Sequence, residues 1–337
     1  MSLLEVNNLR IRYEMEEEED VLASDDINFT VEKGETFGLV GESGSGKSTV
    51  GSSIVQLLDK NAVIEDGEIL FKGENMLEKS NKELRSIRWD EIAYIPQQSL
   101  AGFNPVYTTG AQIVEALVTH NPDVSHSAAH ARARNLLERM GMNAEIADKY
   151  PSELSGGERQ RAMIAMALVS EPELIIADEP TTALDVLVQD RVIGELEQIQ
   201  EEFDVSILVI SNDISLVAET CDRLGVLYGG KMMERGTIKD VFNDTANPYT
   251  LGLQNSFPTL EQAGRRNLVA IPGDPPDLKD IEQGCRFKDR CPWATEECDT
   301  EHPPMEEVSD GHLSACYHLD KLDQMRNEAQ DQDLWQK

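Results

Sequence analysis

The sequence predicts an α/β fold built around a parallel sheet. Three observations point there. The run Thr36-Phe37-Gly38-Leu39-Val40 enters a glycine-rich loop, and residues 48–58 follow with Val50, Ile54, Leu57 and Leu58 at helical spacing. Three strand-sized apolar runs, Leu174–Ala177, Ile207–Ile210 and Leu224–Tyr228, lack polar alternation, as parallel strands buried on both faces do. Residues 125–168, ahead of those runs, read mainly as helix.

The remaining elements follow in order. Residues 3–13 read as a strand, the acidic stretch 14–20 as an exposed turn, and Val21 to Val31 as a second strand region. Glu32-Lys33-Gly34-Glu35 is a turn. From about residue 236, prolines, cysteines and short polar stretches replace the alternation of strand and helix, which places a boundary there. Residues 321–337 read as a polar, frayed tail.

Composition narrows the function classes. The chain has 337 residues, enough for a large domain plus an extension, and 40% are hydrophobic. No apolar run approaches the roughly 18 residues of a membrane-spanning helix. The start Met1-Ser2-Leu3-Leu4-Glu5-Val6 lacks the pattern of a secretory signal, so a cytosolic chain is expected, held at a membrane only by other subunits. The net charge of −33 is spread along the chain and argues against general binding to nucleic acid. It fits a surface adapted to high salt, where screening removes self-repulsion.

Residues Gly41-Glu42-Ser43-Gly44-Ser45-Gly46-Lys47-Ser48-Thr49 match G-x-x-x-x-G-K-[ST] between a strand and a helix. Such a loop curls so that backbone N–H groups face phosphate oxygens, and the helix adds its positive end. Lys47 is expected on the β- and γ-phosphates of ATP, and Ser48 on Mg²⁺. In Leu174-Ile175-Ile176-Ala177-Asp178-Glu179, a buried strand ends in two carboxylates. Asp178 is suited to Mg²⁺ through a water, and Glu179 to polarising the attacking water. Ser155-Gly156-Gly157-Glu158-Arg159-Gln160 opens a helix and forms a second anion site.

Together these motifs resemble the ATP-binding cassette (ABC) family. The resemblance implies a phosphate-loop NTPase with a RecA-like parallel core, an N-terminal antiparallel β subdomain and a helical subdomain at about 100–165, all within residues 1–235. It also implies further roles. Tyr13 would stack on adenine. Gln97, in Tyr94-Ile95-Pro96-Gln97-Gln98, would bind Mg²⁺ and sense the membrane partner, although the surrounding loop departs from the family pattern. Ser155, Gly156, Gly157 and Gln160 would complete the nucleotide site of an opposing subunit, and Asp185, in Thr182-Ala183-Leu184-Asp185, would contact that subunit. Where the family has a histidine for the γ-phosphate, Ser211-Asn212-Asp213 supplies Asn212. Asparagine hydrogen-bonds but carries no charge, so slowed hydrolysis is expected, with Glu179 as the main catalytic group.

Phe103-Asn104-Pro105-Val106-Tyr107, Tyr150–Leu154, Asn247-Pro248-Tyr249-Thr250 and Ile271–Leu278 resemble the ATPases of dipeptide and oligopeptide importers, with Asn247 in place of the usual histidine. In that subgroup residues 236–320 form a small irregular C-terminal extension. It contains Cys285, Cys291, Cys298 and Cys316, which lack close C-x₂-C pairs. Iron–sulfur ligation, zinc and unliganded thiols are all open from the residues alone; the resemblance implies a [4Fe–4S] cluster.

The expected function is the ATPase subunit of a peptide importer at the cytoplasmic face of the membrane. Its implied partners are a second, different cassette in a head-to-tail heterodimer, two transmembrane permease subunits and an extracellular solute-binding protein. The competing readings are a soluble cassette ATPase of repair, translation or Fe–S assembly, and an importer subunit for nickel or sugars.

Overall fold

The computed structural model describes residues 2–16, 18–97, 102–181, 194, 198–200, 202–256, 269–279, 281 and 283–336. Its strands are β1 (Ser2–Tyr13), β2 (Val21–Glu32), β3 (Thr36–Val40), β4 (Ala62–Phe71), β5 (Glu74–Asn75), β6 (Ile92–Ile95), β7 (Leu174–Asp178), β8 (Ser206–Ser211), β9 (Arg223–Tyr228), β10 (Lys231–Thr237), β11 (Met305–Ser309) and β12 (His312–Ala315). Its helices are α1 (Lys47–Ile54), α2 (Asn81–Ile87), α3 (Thr109–His120), α4 (His126–Arg139), α5 (Gly156–Leu168), α6 (Ile214–Thr220), α7 (Ile238–Asn243), α8 (Pro248–Ser256), α9 (Leu322–Glu328) and α10 (Gln332–Trp335). The chain forms two compact units, one of residues 31–36 and 76–210, the other of residues 2–30, 37–75 and 211–337.

In the first unit β6, β7 and β8 run parallel, with Ile95 opposite Ala177 and Ala177 opposite Val209. Every residue of β7 and β8 is buried, which is why both read as unbroken apolar runs. Helix α4 buries Ala129, Ala133, Leu136 and Leu137, a stripe at spacings of three and four. Helix α5 is buried from Ala162 to Leu168. Each large apolar side chain enclosed this way contributes about 1.5–3 kcal/mol.

In the second unit β1 and β4 pair antiparallel from Leu4–Phe71 to Tyr13–Ala62, within a sheet ordered β2-β1-β4-β5. Strand β3 lies parallel to β9, with Val40 opposite Val226. Strand β9 turns at Gly229 and Gly230 (φ +55° and +77°) into β10. Strand β12 pairs with β10 on its other side, and β11 with β12.

Residue 236 lies inside β10, and residues 305–315 add two strands to the same sheet, in the same compact unit as the N-terminal residues. Two expectations change. The helix after the glycine loop stops at Ile54 instead of 58, because Gln56 is left-handed (φ +49°), and Leu57 is 55% exposed. Residues 321–337 are no frayed tail: they hold α9 and α10, Trp335 is 2% exposed, and its ring packs on Phe287 and Trp293. Two tryptophans and a phenylalanine 48 residues apart in sequence make that contact, which polarity read locally cannot reveal.

Candidate nucleotide site

The phosphate loop leaves β3 and ends in α1. Two glycines are there for want of space. A Cβ on Gly41 would stand 2.0 Å from the carbonyl oxygen of Leu227, and one on Gly46 (φ +96°) would stand 2.1 Å from that of Ala23. The loop lies tightly between neighbouring backbones, while Ser43 and Gly44 are exposed. Lys47 is 3% exposed, and its ammonium donates to the carbonyl oxygens of Gly41 and Glu42, both at 2.8 Å, and to Ser45 Oγ at 3.3 Å. A buried cation lined by oxygens of its own loop stands where an anionic ligand would bind. Thr49 Oγ1 is 3.3 Å from Tyr13 Oη, so Tyr13 stands beside the loop, and Ser48 is partly exposed at the start of α1.

Sequence reasoning missed what holds this loop. The Glu42 N–H donates to Tyr249 Oη at 2.9 Å, and the Glu42 carboxylate accepts from both Nη atoms of Arg290, at 2.7 and 3.1 Å. Tyr249 is fully buried, and burial raises its phenol well above the ordinary range, so it stays neutral.

The unit of the phosphate loop resumes at Ser211, the last residue of β8, and Asn212 is exposed just beyond it. Asp213 caps α6 by accepting from the N–H groups of Ser215 and Leu216. Asp213 therefore has a local duty, while Asn212 is presented at the strand end.

In the other unit, Asp178 and Glu179 end β7, 4% and 8% exposed. Tyr94, on the neighbouring strand β6, donates its hydroxyl to Asp178 Oδ2 at 2.7 Å. Glu179 is left-handed (φ +47°), a conformation a non-glycine residue holds only when its surroundings impose it. Gln97 Nε2 donates to Glu179 Oε2 at 2.5 Å. Two of the three residues expected to be catalytic, Glu179 and Gln97, are thus brought together. Ser155 caps α5: its Oγ accepts from the Glu158 N–H at 3.3 Å, and the Glu158 carboxylate accepts from the Ser155 N–H at 2.8 Å. The Ser155 N–H, and next the Ser155 hydroxyl donating to the same oxygen at 2.8 Å, hold the Glu158 carboxyl below its usual range. Gly156 and Gly157 form the first turn, and Gln160 is buried, its Nε2 without a hydrogen-bond partner among the described residues. Asp185 lies outside the described residues.

The four cysteines of the extension lie in one neighbourhood. Cys291 and Cys316 each lie within electrostatic range of Cys285 and Cys298. Burial pushes the Cys285 thiol up to about 11 and the Cys316 thiol up to about 12, and it raises Cys291 as well. Backbone N–H groups point at the sulfurs, that of His318 at 3.4 Å from Cys316 Sγ. Among the described residues, no group of three or more His, Cys, Asp or Glu side chains is arranged to hold a metal ion. Asn247 Nδ2 donates to the carbonyl oxygens of Met233 and Ala315, and its Oδ1 accepts from the Tyr249 N–H. A neutral amide does there what a donor on one side and an acceptor on the other require. Among the described residues no helix is long and apolar enough to cross a membrane.

Comparison with known proteins agrees with these features. The ABC transporter family profile matches residues 24–182, and that of the oligopeptide/dipeptide transporter C-terminal region matches residues 233–298. The oligopeptide transport ATP-binding protein OppD of Salmonella typhimurium is 42% identical over 94% of this chain and 93% of its own length. The dipeptide transport ATP-binding protein DppD of Lactococcus lactis is 41% identical over 94% and 91%. Among solved structures, a dimeric post-hydrolysis state of an ATP-binding cassette bound to ADP and Pi superposes with a TM-score of 0.63 at 28% identity, covering 70% of this chain and 98% of that one. The glycine loop, the acidic strand end, the capped glycine helix and the cysteine-bearing extension therefore place this chain in the ABC transporter ATPases, in the oligopeptide and dipeptide branch.

Proposed function

We propose that this chain is the ATP-hydrolysing subunit of an importer that takes up dipeptides or oligopeptides, working at the cytoplasmic face of the membrane beneath two permease subunits supplied by an external binding protein. The observation that carries the ATPase reading is Glu179, held left-handed at the end of a buried strand with Gln97 on its carboxylate. A carboxylate fixed in that way can orient and polarise a water for attack on the γ-phosphate. Lys47 and the N–H groups of residues 43–49 bind the phosphates, and Tyr13 stacks on the base. Bound Mg²⁺ would neutralise charge on the transferred phosphoryl group, with Ser48, Asp178 and Gln97 as its protein contacts. Ser155, Gly156, Gly157 and Gln160 serve the nucleotide of the opposing cassette, and Asp185 contacts that cassette.

The opposing cassette is a different chain. Asn212 supports this, because an unequal pair tolerates one weakened site. The domain division proposed is a nucleotide-binding part to 235 and an extension from 236 to 320. Cys285, Cys291, Cys298 and Cys316 would hold a [4Fe–4S] cluster, in which four sulfurs bind four different irons and need not converge on one ion. Their mutual proximity and the N–H groups aimed at the sulfurs support it.

The test is purification of the chain with its membrane subunits, followed by ATPase assays in proteoliposomes with the binding protein loaded with peptide, nickel or sugar. Stimulation by peptide alone supports the reading. Full activity with no membrane subunit bound refutes it. Visible absorption and iron content of anaerobically purified protein test the cluster.

A further inference from the structure

The second residue of the phosphate loop is an acid, Glu42, in a loop whose task is to receive anionic phosphates. Its carboxylate faces Arg290, which is 8% exposed and engaged through all three nitrogens: Nη1 and Nη2 on Glu42, Nη1 also on Tyr228 Oη at 3.0 Å, and Nε on the Pro272 carbonyl oxygen at 2.7 Å. Tyr249 accepts the Glu42 N–H on the other side. We propose that Arg290 is a positioning residue for nucleotide binding, which together with Tyr249 clamps Glu42 and cancels its charge so that the loop presents only donors to the phosphates. This rests on the phosphate loop being the nucleotide site.

The geometry favours a clamp over a surface ion pair. The contact is two parallel N–H···O bonds, the arrangement in which guanidinium and carboxylate fix each other's orientation. A surface pair contributes little, but Glu42 is 23% exposed and Arg290 8%. Arg290 sits in the short turn Lys288–Arg290, between Cys285 and Cys291. One guanidinium thus joins the cysteine region of the extension to the loop.

Charge cancellation and plain packing make opposite claims about a double variant. With Arg290→Gln, the Glu42 carboxylate is left unneutralised beside the phosphates, and the Kd for Mg·ATP, measured by calorimetry on the full chain in a Glu179→Gln background, is expected to rise about tenfold. Glu42→Gln alone is expected to stay within about threefold of the parent. Glu42→Gln combined with Arg290→Gln is expected to return to that range, because removing the carboxylate removes the repulsion. A double variant as weak as Arg290→Gln overturns the proposal, as does an unchanged Kd in Arg290→Gln. If Arg290→Gln does not fold, Arg290→Lys with the double variant decides. Lysine keeps the charge, and a tenfold loss in a folded Arg290→Lys protein, unrelieved by Glu42→Gln, refutes cancellation. Failure of the parent itself to bind Mg·ATP would instead refute the reading of the loop.

Discussion

Replacing Tyr94 by phenylalanine removes one oxygen from the hydrogen bond to Asp178 Oδ2, at 2.7 Å, and leaves the ring in place. Asp178 is 4% exposed, so water does not readily replace the lost donor. A hydrogen bond to a charged group is worth about 1.5–3 kcal/mol net, and the short distance argues for the middle of that range. The expected loss of stability is therefore about 2 kcal/mol, which in a chain of 337 residues lowers the melting temperature by about 3 °C. The cleaner assay is a double-mutant cycle. Tyr94→Phe, Asp178→Asn and the pair are unfolded with urea, and a coupling of about 1.5 kcal/mol or more is expected. A coupling under about 0.5 kcal/mol would show that the two side chains act independently and would refute the reasoning. ATP turnover should fall in Tyr94→Phe as well, because Asp178 loses a bond that fixes its orientation beside Glu179.

Three other outcomes are expected. Trp335→Ala should cost about 3–5 kcal/mol, since the ring is buried against Phe287 and Trp293; a change under about 1 kcal/mol in the unfolding free energy from urea titration would return residues 321–337 to the status of a tail. Asn212→His should raise ATP turnover of the assembled complex by about tenfold or more, because imidazole can carry the charge that asparagine lacks; unchanged turnover would sink the idea that Asn212 weakens the site. His302 is half-buried, and that burial, with nearby Lys231 and Arg286, holds its pKa down to about 3. Its folded value lies below the unfolded one of about 6.5, so its contribution to stability is complete above pH ~6.5 and is lost progressively as pH falls toward 3. His302→Gln should flatten that part of a stability-against-pH curve, and an unaltered slope would contradict the assignment.

The sequence alone determined the parts whose signal is local. Strand β3, the glycine loop and the start of α1 follow one another within 20 residues, and their order carries the chemistry. The apolar runs of β7, β8 and β9 were legible because parallel strands buried on both faces need no alternation. Residues 155–160 were legible as a helix start, because a serine and two glycines precede the helical run.

The tertiary structure decided the rest. Tyr94 reaches Asp178 across 84 positions, and Arg290 reaches Glu42 across 248. Neither pair leaves a period or a motif in the chain. Asn247 stood out only as a missing histidine, until the fold showed its amide bridging β10, β12 and α8. The polar composition of residues 321–337 suggested fraying, yet one buried tryptophan anchors them. The physical reason is the same in each case. Propensity and periodicity act over a few residues, whereas a bidentate ion pair, a hydroxyl on a buried carboxylate or an aromatic cluster exists only once distant segments have been packed together.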